Sequence, residues 1–127
     1  MSKSIKKVKE WTEARHRAFI TGVLRSGMRR WPPKYETLKE AFTDTKINKV
    51  SNRKARHYLC AQCNEDFAST GVQVDHIEPA VDPNEGFVSW DRFIERLYVP
   101  KEKLQVLCKG CHKIKTASER VKRSENK

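Results

Sequence analysis

No stretch of this chain is apolar over the ~18 residues that a membrane-spanning helix needs, and no hydrophobic leader opens it. These absences argue against a helical span and predict a soluble chain in a reducing compartment. Apolar residues make up only 37% and aromatic residues 9% of the 127 residues, so the core must be small. A small core commonly needs a staple. Acidic residues are scarce in the first part of the chain: residues 1–57 hold 16 Lys or Arg against 5 Asp or Glu. Residues 58–127 hold 11 of each, so the whole net charge of +11 precedes them. The second part divides again, with 2 basic and 8 acidic residues in 58–99, then 9 and 3 in 100–127.

The chain has four cysteines, in two C-x2-C pairs: Cys60 with Cys63, and Cys108 with Cys111. Each pair can deliver two thiolates from one tight turn, at about 2.3 Å from a tetrahedral zinc ion. Two disulfides are the alternative, but the missing leader and the adjacent pairing favour a structural zinc site. The 44 residues between Cys63 and Cys108 form a long insert.

Within the insert, Asp75 and His76 follow the alternating Val72, Gln73 and Val74. This places a carboxylate and an imidazole at the end of a short strand, on opposite sides unless the backbone bends. His112 directly follows Cys111 and is therefore positioned by the metal knuckle. Asp75 and His112 can then share a second divalent cation, with His76 left to take a proton from water. Imidazole suits that task near neutrality. An isolated Asp-His pair is usually just a surface histidine beside an acid; the knuckle-bound His112 is what raises its interest.

Three segments together, Cys60-x2-Cys63, Val74-Asp75-His76-Ile77-x-Pro79 and Leu104-Gln105-x-Leu107-Cys108-x2-Cys111-His112-x2-Lys115-Thr116, resemble the zinc-containing HNH endonucleases common in bacteriophages. The likeness covers residues 57–117. It implies an α+β fold with a small ββα-metal core, a hairpin and a helix gripping one catalytic cation, braced by the four-cysteine zinc site. It further implies His76 as general base, and Asp75 with His112 as ligands of Mg or Mn, Ni or Zn being alternatives. The implied partner is double-stranded DNA. One position departs from the pattern: Lys103 stands where the family usually has Asn or His before the Leu-Gln pair. Lysine accepts no hydrogen bond, so backbone or other residues must brace the loop that carries His76. The departure keeps a second reading alive, a weak or inactive zinc-braced DNA-binding or phage-packaging accessory protein.

The basic segments flanking the acidic stretch suit phosphate contact. Arg53, Lys54 and Arg56 before the first knuckle, and Lys113 and Lys115 after His112, are the candidate DNA contacts. The expected organisation is a basic tail at 1–10, a helical basic DNA-contacting region at 11–56, the nuclease core at 57–122 and a frayed end at 123–127. Thr12 caps a first helix reaching Arg30. A second starts near Pro33, with Tyr35, Leu38 and Phe42 as its apolar stripe. Residues 43–57, rich in Asn, Ser, Thr and basic side chains, are expected to form a linker. A strand follows at 71–77, then a loop from Pro79 to Gly86. Next comes a helix from Ser89 or Trp90, with Phe93, Ile94 and Leu97 inward and Arg92 and Arg96 outward. The last helix spans about Lys109 to Lys122 and carries His112 in its first turn. No membrane contact is expected, and a monomer is favoured over a dimer. The working place would be the cytoplasm, that of the host if the chain is phage-encoded.

Overall fold

The computed structural model describes residues 10–125. The expected tail at 1–10 lies almost wholly outside them, as do the last two residues. The fold is mixed α+β, with a four-cysteine cluster placed to hold a metal ion such as zinc. Two compact units meet in sequence between Arg30 and Trp31. Among the described residues no helix is long and apolar enough to cross a membrane.

The first unit contains helix α1 (Glu13–Ser26) and a 3-10 turn (Gly27–Arg30). Thr12 caps α1, its hydroxyl accepting from the Arg15 N–H at 3.1 Å, as its sequence position predicts. The helix therefore ends before Arg30, in a tighter turn. Trp11 packs edge-on to Phe19, and the Arg15 guanidinium lies 4.2 Å from the Trp11 ring centroid.

The second unit begins with helix α2 (Pro32–Ala41), whose first positions are prolines with their φ angles already set for a helix. Trp31 precedes it, donating its indole N–H to the Val99 carbonyl at 2.7 Å and packing edge-on to Tyr98. Next come β1 (Phe42–Asn48) and β2 (Arg53–Leu59), joined antiparallel around a turn in which Asn52 takes a φ of 59°. The expected linker at 43–57 is thus a hairpin. Its composition hid it: of the two strands only His57 is buried, so no apolar alternation marks them. The short β3 (Asp66–Ala68) completes the sheet in the order β1-β2-β3. The Asp66 carboxylate ties this sheet across its width, taking Lys46 Nζ at 2.6 Å and the Thr43 hydroxyl at 3.0 Å.

A second sheet pairs β4 (Val72–His76) with β5 (Leu104–Cys108), antiparallel, so that Val74 faces Val106 and Asp75 faces Gln105. Helix α3 (Trp90–Leu97) lies between these strands in sequence, capped by the Ser89 hydroxyl on the Arg92 N–H. Helix α4 (Lys109–Glu125) follows β5 without a break, and its regular turns continue past the end expected at Lys122. Phe93, Leu97, Leu104, Val106 and Leu107 are buried, together with Cys60 and Cys108. Leu107 joins the two buried cysteines in one cluster, with Phe67 and Cys111 packed against it.

Two assignments on α3 change, one inward and one outward. Ile94 is exposed, because Phe93 and Leu97, one turn apart, already define the buried line. Arg96, expected outward, is largely covered and donates from both Nε and a terminal nitrogen to the Pro79 carbonyl, at 2.9 and 2.6 Å. It thereby holds the loop that follows His76 onto α3.

Candidate metal centre

The sulfur atoms of Cys60, Cys63, Cys108 and Cys111 all lie within 4.8 Å of one another and form no disulfide. Four sulfurs at about 2.3 Å from a tetrahedral ion sit about 3.8 Å apart, so the cluster needs only a slight contraction around zinc. Two backbone devices build it. In the first turn Asn64 donates to the Cys60 carbonyl at 3.0 Å and takes a φ of 60°, a left-handed conformation that Asn tolerates. In the second, the Cys111 N–H points at Cys108 Sγ at 3.4 Å from the first turn of α4. Cys60 N–H bonds the Glu65 carbonyl at 2.9 Å and Ala61 N–H the Val106 carbonyl at 2.8 Å, which couples the first knuckle to β5.

The electrostatics of the four sulfurs are compatible with a shared cation. Burial alone would push the Cys60 thiol up, but backbone hydrogen bonds around Cys63, Cys108 and Gln62 outweigh it and bring it down to about 6. Cys111 moves the opposite way, to about 12, because its hydrogen bond with Cys108, its burial and the sulfur of Cys60 all oppose a further negative charge. Adjacent thiolates cannot all ionise unless a positive ion is shared among them.

The second candidate site lies where β4 meets α4. Asp75 is largely buried, and its carboxylate has three neighbours: Lys115 Nζ at 2.6 Å and Gln105 Nε2 at 3.1 Å on Oδ2, and His112 Nε2 at 3.6 Å from Oδ1. Gln105 is the cross-strand partner of Asp75, while His112, Lys115 and Glu119 share one face of α4 at helical spacing. Glu119 in turn lies 3.4 Å from Lys115. The structure thus brings Asp75 and His112 together, although the whole of α3 and the second cysteine pair lie between them in sequence.

His76 faces away from this group, as strand alternation demands. Its Nε2 lies 2.7 Å from the Leu97 carbonyl at the end of α3. A carbonyl only accepts, so Nε2 carries the proton and Nδ1 of the neutral ring keeps its lone pair. The bracing expected to replace the missing side chain at Lys103 comes from backbone: Ile77 N–H donates to the Lys103 carbonyl at 3.0 Å. Sequence reasoning did not identify Leu97 and Arg96 as supports of the His76 loop, since one acts through its carbonyl and the other looked like a solvated charge.

The candidate DNA contacts separate. Lys54 and Arg56 project from one face of β2 and Arg53 from the other, all exposed. Lys113 is exposed on α4, whereas Lys115 is turned inward onto Asp75. His57 lies apart from the sulfurs, buried, with its Nδ1 2.9 Å from the Ala55 carbonyl. Compared with known proteins, the chain matches no family model, and neither a curated protein nor a solved structure shows significant similarity to it.

Proposed function

We propose that the chain is a metal-dependent DNA endonuclease of the HNH kind, its ββα-metal core formed by β4, β5 and α4. The observation that carries this reading is the placement of Asp75 Oδ1 3.6 Å from His112 Nε2; His76, the next residue along β4, has its tautomer set by the Leu97 carbonyl. Two donors each about 2.1 Å from one cation stand about 3.0 Å apart at right angles and about 4.2 Å apart when opposed, so this separation suits a shared ion. Mg or Mn bound there would stabilise the negative charge that grows on a phosphodiester under attack. In this reading His76 accepts a proton from water through Nδ1. Lys115 holds the Asp75 oxygen that does not face His112, which leaves one oxygen directed at the cation. The four-cysteine site keeps β5 and the start of α4 in register, and so fixes His112.

The excess of positive charge supports a polyanionic partner, and Arg53, Lys54, Arg56 and Lys113 are exposed cations that duplex phosphates could meet. Zinc-loaded protein is expected to nick or linearise plasmid at low salt with added Mg or Mn, and to be inert with EDTA. Retardation of DNA on a gel with no cutting under any divalent cation would overturn the enzyme and leave the zinc-braced binding or packaging accessory. Lys103 at the position of the usual Asn or His is what favours that second reading.

A further inference from the structure

We propose that the groove between α2 and one face of the β1–β2 hairpin binds an unpaired nucleotide of a nucleic-acid strand. The register places Phe42 opposite Tyr58 and Thr45 opposite Arg56 on a single face of the hairpin. Helix α2 supplies Tyr35, Leu38 and Lys39 as the facing wall, and together these seven residues line a cleft of about 490 Å³. That volume falls in the range of small-ligand sites, on the order of 300–1,000 Å³.

Tyr35 and Leu38 keep helical spacing on α2, while Phe42, expected on the same helical stripe, opens β1; Tyr35 is 50% and Phe42 43% exposed. Their apolar surface therefore faces the cleft instead of the core. Phe42 and Tyr58 meet edge-to-face at 6.0 Å, an arrangement that keeps ring surface open, and the Lys34 ammonium lies 5.7 Å from the Tyr35 ring centroid. Two cations, Lys39 and Arg56, line the cleft, and among the described residues no carboxylate does. A matching ligand must bring a flat π surface and negative charge within one small unit. A nucleotide brings both. An acidic peptide carries its charge and any ring on separate side chains, and a purely apolar segment would leave both cations unanswered. Bases of an intact duplex are stacked inside it, so the base that enters is an unpaired one.

The proposal rests on the nuclease reading for its choice of a nucleic-acid partner, and it adds a preference for frayed, nicked or single-stranded regions. The test uses full-length, zinc-loaded protein without added Mg or Mn, and follows the anisotropy of a labelled oligothymidylate against that of a blunt duplex. Tyr35→Leu keeps the apolar bulk but removes the ring; it is expected to weaken oligothymidylate binding roughly tenfold, with duplex affinity unchanged and binding retained in Tyr35→Phe. Lys39→Gln is expected to flatten the salt dependence of the same binding. Equal affinity in the wild type and Tyr35→Leu, or displacement by polyglutamate as effective as by unlabelled oligonucleotide, would overturn the proposal. If the wild type cuts plasmid while Tyr35→Leu binds oligothymidylate normally, the groove fails and the nuclease stands. Tyr35-dependent binding by a chain that cuts no DNA gives the reverse result.

Discussion

Lys115 Nζ lies 2.6 Å from Asp75 Oδ2 and also donates to the His76 backbone carbonyl, so one side chain of α4 clasps both residues at the end of β4. Lys115 was expected to contact DNA; its position makes it a partner of Asp75. Lys115→Met would leave a largely buried carboxylate with only Gln105 and His112 beside it. The pair is neither fully exposed nor fully buried, and the expected cost lies between those limits, about 1–2 kcal/mol. Urea unfolding should show a lower midpoint at an unchanged slope, and an unaltered midpoint would contradict the clasp.

Removing the metal should act on folding before anything else. Cys60 and Cys108 are buried in the cluster that contains Leu107, so two of the four cysteines placed to hold a metal ion are also core. Chelation is expected to lower the melting temperature by about ten degrees or more, the effect of losing a few kcal/mol in a domain of this size. Cys108→Ser should bind no zinc by elemental analysis and unfold below the wild type. A melting curve indifferent to chelator would argue against a structural ion.

Leu97 joins the core to the candidate site, its side chain 1% exposed and its carbonyl on His76 Nε2. Leu97→Ala is expected to cost about 2–5 kcal/mol through the cavity it leaves. It should also loosen the His76 ring, visible as a changed imidazole nitrogen shift by NMR. A destabilised variant whose His76 shifts stayed fixed would show that the carbonyl does not depend on its side chain's packing.

The three-stranded sheet carries its own pH signature. Lys46, followed by the Thr43 hydroxyl, holds the Asp66 carboxyl below its ordinary value of 3.8. A depressed carboxyl contributes stability that is complete above its unfolded pKa and is lost as pH falls through the folded value. The contribution of this tie should therefore persist down to about pH 4 and fade below it. Carboxyl titration by NMR should place Asp66 below 3.8, with Lys46→Met moving it back up. No movement in that variant would remove Lys46 as the cause.

Much of the local structure was legible because it depended on a few strong signals. Thr12 caps its helix as its position predicts, the helix expected from Ser89 or Trp90 starts at Trp90, and the one expected near Pro33 starts at Pro32. The alternation at Val72–His76 marks β4, and the cysteine spacing brings four sulfurs together. The hairpin at Phe42–Leu59 was not legible, since its strands bury only His57 and carry polar side chains where a pattern search needs apolar ones. Nor was the bracing of His76 by the Leu97 carbonyl and of Ile77 by the Lys103 carbonyl, because a backbone acceptor has no residue type. Arg96 was misassigned for a related reason: its charge suggested solvent, while its planar fork matches a loop carbonyl.

In the proposed nuclease, His76 takes a proton from water and Asp75 with His112 would hold the cation. The most direct measurement is plasmid cleavage by wild-type and His76→Ala proteins of equal zinc content and equal DNA affinity, in EDTA and then in Mg or Mn. The account predicts cutting by the wild type only with added cation, and a loss of roughly 100-fold or more in the variant. Equal rates in the two proteins, or equal inactivity with DNA still bound, would contradict it.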